Sequence, residues 1–478
     1  MMRYLSVILL FASSFALGQD QYKLSFVVRG LKPGPVYLGF YQQDKTFSRD
    51  TAEVDANGRF SFQGNKKLNE GIYFLLRDAS VIFDFVIGAD QEFSIETSTD
   101  DYVTNMVVKG DEDNALFLEN LKLLRSATKS IEPQIKILRD STADPALKKE
   151  ANKIYEETGK NVTAQQEKLI QANPKSVTAR ILKMNKQVSI PEPPKKADGS
   201  IDSTFQLRYY TQHYFDNFGL GDEVMLRVHK VVYWDKVQYY LDKLFIQHPD
   251  TLFNRVDRLI AVAKSNQDTY KYLVWNAIVY YQNHSIMGLD QVYVKLVDKY
   301  ITSGEMDYWL DKKTVSNMRD YADKLRRAPI GSTAPNLIMQ DAQLQAKSMY
   351  DIKSKYTVVF FFKPSCSHCR EETPKLVTLY NQKKKTLNFE VFAVSTDTAM
   401  KEMKDFIRDF KTPWITVNGP RSYIKEHFSK LYYAELTPTV YVLDERKKVI
   451  ARRIDVEQID DFIENYEKME QRKKVAAR

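Results

Sequence analysis

The only two cysteines of the 478-residue chain, Cys366 and Cys369, are separated by two positions, Ser367 and His368. Before them runs Thr357–Phe362 (TVVFFF), an apolar, β-branched and aromatic segment that reads as a buried strand. After them Leu376, Val377, Leu379 and Tyr380 recur at helical spacings. A cysteine at a strand-to-helix junction meets unpaired N–H groups and the positive end of the helix dipole, and both favour a thiolate. The thiolate is the nucleophile of thiol–disulfide exchange. Two blander chemistries use such a pair. Structural zinc takes about four ligands, but there is no third cysteine and the six histidines are scattered. An inert disulfide closing so short a loop would constrain the unfolded chain little. The C-x-x-C in a strand–helix setting therefore reads as redox-active.

The elements that position the pair are legible around it. Strands are expected at 357–362, 389–395, 414–417, 440–443 and 449–454, and helices near 366–382, 400–409, 423–428 and 456–467. The segment Arg326–Ser332 reads as a linker into this last domain.

Three segments carry a resemblance: Ala334–Leu337 (APNL) at the domain entry, Phe361–Pro374 (FFKPSCSHCREETP) at the site, and Leu436–Asp444 (LTPTVYVLD) after it. Residues 331–478 resemble a thioredoxin-fold domain of the extracytoplasmic thiol–disulfide oxidoreductase type, related to the reductases of cytochrome maturation. The βαβαββα order agrees with that α/β fold. The resemblance implies that Cys366 attacks a substrate disulfide and that Cys369 resolves the mixed disulfide. Pro438 matches the family's cis-proline, which leaves the backbone of Thr437 free to pair with an extended substrate strand. His368 matches the histidine that oxidant-like members carry before the second cysteine, where an imidazole stabilises the thiolate. Glu372 matches the glutamate that handles protons in the cytochrome-maturation reductases. A solvated dipeptide histidine and a first-turn surface glutamate are the plain alternatives.

The chain also departs from ordinary thioredoxins. Phe360, Phe361 and Phe362 fill the strand that carries their buried carboxylate, and Pro364-Ser365 replaces the tryptophan before the first cysteine. Redox direction is therefore not carried over from thioredoxin, although a reductase is the favoured reading. A peroxiredoxin site needs Thr or Ser three positions before its cysteine and Pro four before that. Those positions hold Lys363 and Val359 ahead of Cys366, and Cys366 and Phe362 ahead of Cys369.

Met1-Met2-Arg3, the apolar run 4–17 and Ala16-Leu17-Gly18 read as a secretory signal peptide over 1–18, cleaved near Gly18–Gln19. An uncleaved anchor is the alternative. No cysteine follows the cleavage point, so a lipoprotein is not expected, and the expected location is the periplasm. Hydrophobic residues make up 43% and charged residues 28%, which fits folded domains. The net charge of +8 is spread over the chain, and a nucleic-acid role has little support.

Residues 21–110 read as a small β domain, with Leu24, Phe26 and Val28 alternating with polar neighbours. Asn57-Gly58 reads as a hairpin turn. From 113 to 325 the period becomes helical, with Asp144-Pro145 opening a helix to about 158, another over 162–172 and one over 176–184. The many Tyr, Phe and Trp residues of 204–325 read as helix–helix packing.

The expected fold is multidomain: an N-terminal all-β sandwich-like domain, an α-helical middle region and a C-terminal α/β thioredoxin fold. The expected activity is dithiol–disulfide exchange with protein substrates, without metal or organic cofactor. A redox partner is implied, such as a membrane electron donor. The rival reading is a secreted binding or scaffold protein whose β and helical domains capture a partner and whose C-x-x-C is a static bridge. Nothing in the sequence sets the oligomeric state, and dimerisation through the helical region is one arrangement it permits.

Overall fold

The computed structural model describes residues 21–195 and 198–476, so the stretch read as a signal peptide lies outside the described residues. The chain forms two compact units. One comprises the residues up to Leu244 with Arg258–Leu273, and the other Phe245–Asp257 with the residues from Val274 onward.

The first unit begins with eight strands: β1 Tyr22–Arg29, β2 Gly34–Gln42, β3 Lys45–Val54, β4 Arg59–Gly64, β5 Gly71–Arg77, β6 Ser80–Ile87, β7 Glu92–Ser98 and β8 Val107–Lys109. They form two four-stranded sheets, ordered β4-β1-β7-β8 and β3-β2-β5-β6. The alternation read in β1 is the reason for the layering. Leu24, Phe26 and Val28 point inward and meet Val36, Leu38, Leu75 and Phe85 from the other sheet. Phe26 and Phe85 lie edge to face at 5.4 Å across this core. The Asn57-Gly58 turn is present, but it does not close a hairpin within one sheet. β3 and β4 belong to different sheets, so the turn carries the chain across the sandwich. Gly58 has φ +76, and a Cβ there would meet the Val28 carbonyl oxygen at 2.1 Å, so only glycine fits.

Helices α1 Glu112–Arg139, α2 Pro145–Ala172, α3 Val177–Met184, α4 Phe205–His213 and α5 Tyr233–Lys243 follow. Asp144 accepts the Ala146 N–H at 2.7 Å and Pro145 occupies the first turn, so the predicted start of α2 holds. The two helices expected over 144–172 are one, because nothing between 158 and 162 breaks the backbone pattern. Asp113 accepts the N–H groups of Val177 and Thr178 at 2.7 and 3.0 Å, so an acid of α1 caps α3. Helices α6 Pro249–Ala263 and α7 Gln267–Gln282 each contribute residues to both units.

The second unit contains α8 Asp290–Leu296 and α9 Lys312–Leu325, then a seven-stranded sheet. Its strands are β9 Ile338–Asp341, β10 Ala346–Ser348, β11 Tyr356–Phe362, β12 Phe389–Ser395, β13 Ile415–Ser422, β14 Thr439–Leu443 and β15 Val449–Arg452, in the order β10-β9-β13-β12-β11-β14-β15. The helices are α10 Ser367–Leu387, α11 Met400–Phe410, α12 Phe428–Leu431 and α13 Ile459–Ala476. β11 is central, parallel to β12 and antiparallel to β14. All seven of its side chains are buried, which explains the unbroken apolar run. Phe360 and Phe362 face a core shared with α10, α11 and α13, while Val359 and Phe361 face the opposite core.

The linker read at 326–332 is not a loose tether. Gly331 donates to the Val449 carbonyl at 2.8 Å, Val449 donates to the Ser332 carbonyl at 2.9 Å, and Ala328 is buried. The helix expected over 423–428 is a single turn at Phe428–Leu431. Arg452, the last residue of β15, is 2% exposed and ion-paired with Asp290 of α8. It also donates to the Leu325 carbonyl at 2.9 Å.

Candidate active site

The site forms where β11 ends and α10 begins. Lys363, Pro364 and Ser365 turn the chain, with the Cys366 N–H donating to the Lys363 carbonyl at 3.0 Å. Cys366 is the N-cap of α10, with extended backbone, and its carbonyl accepts the Arg370 N–H at 3.1 Å. Cys369 falls in the first helical turn. Both cysteines are free thiols; Cys366 is half-buried and Cys369 is fully buried.

The two sulfurs have different electrostatics. Burial pushes the Cys366 thiol up. Hydrogen bonds with the Cys369 N–H and thiol, with Thr437 and with the His368 N–H outweigh burial and bring it below the ordinary thiol value. Burial pushes the Cys369 thiol up to about 12 against the opposing Lys363 N–H, which lies 3.4 Å from its Sγ. The first sulfur is therefore the more accessible and the more readily ionised of the two.

Thr437 and Pro438 face the pair. Their peptide bond is cis, and the Cys366 thiol donates to the Thr437 carbonyl at 3.3 Å. Leu436, the next residue back, is an apolar side chain 68% exposed.

His368 and Glu372 are placed otherwise. The His368 side chain is 78% exposed and its Nδ1 lies 3.4 Å from Glu371; the backbone N–H, rather than the ring, is what addresses Cys366. The Glu372 carboxylate pairs with Lys375 at 2.8 Å, and Lys375 also pairs with Glu457 at 2.8 Å. Among the described residues neither His368 nor Glu372 makes a side-chain hydrogen bond or ion pair with a cysteine. Phe360 is buried against Phe362 at 5.7 Å, so the strand offers no carboxylate beneath Cys369.

Arg370 is a contributor that sequence reasoning left without a role. Its guanidinium lies 4.9 Å from the Phe410 ring centre and donates to the Pro364 carbonyl at 3.4 Å. It thereby ties the loop before Cys366 to α11. Its adjacency to Cys369 was the one available signal. Among the described residues no group of three or more His, Cys, Asp or Glu side chains could hold a metal ion.

Residues 330–452 match the AhpC/TSA family. They form a thioredoxin-like thiol–disulfide oxidoreductase domain. Residues 22–117 and 157–325 match two families described only as domains of unknown function, DUF4369 and DUF5106. The oxidoreductase domain is similar to the solution structure of a thiol:disulfide interchange protein from Bacteroides sp. The identity is 30%, over 29% of this chain and 88% of that one, with a TM-score of 0.25. It is also similar to the thioredoxin domain of a thiol-disulfide oxidoreductase from Bacteroides vulgatus. There the identity is 30%, over 29% of this chain and 96% of that one, with a TM-score of 0.25. Human nucleoredoxin is 28% identical over 118 residues, 24% of this chain and 27% of the relative. The chain thus spans about a quarter of the length of that curated relative.

Proposed function

We propose that the protein is a periplasmic thiol–disulfide oxidoreductase acting on protein disulfides, working as a reductase of the cytochrome-maturation type. The observation that carries this reading is the asymmetry of the pair. Cys366 is open, with its thiol lowered and facing the Thr437 carbonyl, and Cys369 is buried with its thiol raised.

In this reading an extended substrate segment lies along Thr437 and Leu436, pairing with the backbone before Pro438. The Cys366 thiolate attacks one sulfur of the substrate disulfide, forming a mixed disulfide and releasing the other substrate sulfur as a thiolate that takes up a proton. Cys369 then gives up its proton and attacks the Cys366 sulfur. The substrate leaves as a dithiol, and Cys366–Cys369 remains as a disulfide. Two electrons and two protons have passed to the substrate. An external dithiol returns them, and a membrane electron donor is the partner proposed for that step. The lowered Cys366 thiol favours attack, while the raised Cys369 thiol must lose its proton before it resolves the mixed disulfide.

The test is insulin reduction with dithiothreitol as donor, together with the reduction potential of the pair in glutathione buffers. Turnover that is lost in Cys366→Ser, with a potential near −270 mV, supports a reductase. A potential near −120 mV sinks the reducing direction. Absence of turnover with any dithiol donor sinks the enzyme reading.

A further inference from the structure

The unit without the cysteine pair contains a cavity of ≈150 Å³ lined by Arg49, Lys66, Lys67 and Arg227, with Asn69 and Tyr73 among its other walls. No carboxylate is among its described lining residues. That is notable in a chain whose 62 acids nearly match its 70 bases. Arg227 forms the floor. Its side chain is 4% exposed and pairs with Glu223 at 2.9 Å and Asp268 at 2.6 Å, so its charge is already balanced. The remaining charge comes from Arg49, which also contacts the Tyr22 hydroxyl, and from Lys66 and Lys67. Among the described residues none of these three is in an ion pair, and the Lys67 ammonium donates only to the Ala89 carbonyl, at 3.3 Å.

The walls are held independently of any occupant. Gln91, which is buried, clamps the main chain of Leu68 on both sides, accepting its N–H at 2.8 Å and donating to its carbonyl at 2.9 Å. Glu223 accepts from the Asn69 amide at 2.9 Å and the Glu70 N–H at 3.1 Å. Ile72 donates to the Arg227 carbonyl at 2.8 Å. Gly71 permits that approach, since a Cβ there would lie 2.4 Å from the Arg227 Cβ. The loop bearing Lys66 and Lys67 is therefore anchored at its far end to the same glutamate that holds Arg227. An anion entering the cavity would meet fixed backbone, and only long cationic side chains would need ordering.

We propose that this cavity binds one small oxyanion, namely a carboxylate, phosphate or sulfate group. Its size matches about five waters, which suits a single tetrahedral or planar anion and is below the volume of ordinary organic-ligand pockets. Three exposed cations among the lining residues, with Arg227 buried beside them, raise the local potential for an anion. The site is independent of the thiol chemistry, so its failure would leave the oxidoreductase reading untouched.

The experiment titrates the full chain with inorganic phosphate, sulfate and citrate, each against sodium chloride at equal ionic strength. Thermal unfolding and calorimetry are the readouts. The expected result is a saturable rise in the unfolding midpoint with at least one of the three, half-saturating below about 1 mM. Arg49→Gln/Lys66→Gln should weaken that half-saturation at least tenfold while insulin reduction stays within twofold of wild type. Lys149→Gln/Lys153→Gln, which removes two exposed cations elsewhere, should leave it unchanged. If the first double variant is poorly folded, Lys66→Gln alone provides the comparison. No anion effect beyond that of chloride, or equal affinity in the Arg49/Lys66 variants, overturns the proposal.

Discussion

The Cys366 Sγ lies 3.3 Å from the main-chain carbonyl oxygen of Thr437, across 71 residues of sequence. Under the proposed function, a substrate sulfur joined to Cys366 would lie beside this carbonyl, in the bend that leads into β14. Replacing either cysteine separates the two halves of the reaction. Cys366→Ser should abolish insulin reduction. Cys369→Ser should retain the attack and accumulate a mixed disulfide, visible as a shifted band on a non-reducing gel. A trapped species from Cys366→Ser instead would reverse the assignment.

Alkylation should report the same asymmetry. The Cys366 thiol lies below its ordinary value, and burial holds Cys369 at about 12. Iodoacetamide near pH 7 should give a single adduct, on Cys366, by peptide mass spectrometry. The raised thiol also fixes a sign for stability. An unfolded Cys369 loses its proton near the ordinary thiol value while the folded one keeps it, so rising pH favours the unfolded state. The reduced protein should lose stability from pH ~8.5 upward, towards about 12, and Cys369→Ala should flatten that slope. Denaturant midpoints measured between about pH 8 and 10 decide it.

The exposed ring of His368 faces solvent rather than sulfur. Screening at physiological salt weakens any charge effect at such a position. His368→Ala should shift the reduction potential by less than about 30 mV, the equivalent of tenfold in the exchange constant. A larger shift would show that the imidazole reaches the thiolate during turnover.

Arg370 holds the Pro364 carbonyl while resting on Phe410. Arg370→Ala removes the hydrogen bond to Pro364, the ring contacts with Phe406 and Phe410 and a 4.0 Å ion pair with Asp409, a cost of about 1–2 kcal/mol. Chemical denaturation should show that loss. The rate of insulin reduction should fall as well, because the loop before Cys366 is released. Unchanged values for both would remove the residue from the site's support.

Buried Arg452 pairs with the partly exposed Asp290 within the second unit. Arg452→Ala leaves the Asp290 carboxylate with one partner fewer and takes one of two donors from the Leu325 carbonyl, which keeps the Gln291 amide at 3.1 Å. The expected cost is about 3–5 kcal/mol, read from urea unfolding. The cysteines retain their local contacts, so alkylation of Cys366 in the surviving folded fraction should be unaffected.

The sequence revealed some parts of this molecule far better than others, for physical reasons. β11 was visible because it is buried on both faces and so reads as TVVFFF without interruption. The turn into α10 was visible because the cysteines mark it. β1 showed its alternation because only one face is buried. β3 was missed: it runs Lys45–Val54 at an edge, mostly exposed, and its polar residues carry no inward pattern. β9 and β10 were missed because four and three residues hold too little periodicity. The Asn57-Gly58 turn was found but read as a hairpin, since local sequence does not record which layer the chain enters after a turn. At the site, side-chain type located His368 and Glu372, but their ion pairs with Glu371 and Lys375 depend on rotamers that spacing does not fix.

Only one of the two sulfurs meets solvent, while the other is sealed in the first turn of its helix. Donor and acceptor must therefore take turns at a single atom. They cannot be bound for exchange together, and each excludes the other. Steady-state kinetics should show parallel lines in double-reciprocal plots, the mark of a ping-pong cycle. An excess of either partner should slow the other's half-reaction. The rate at which this domain serves its substrates is then set by the ratio of its two clients as much as by the amount of either.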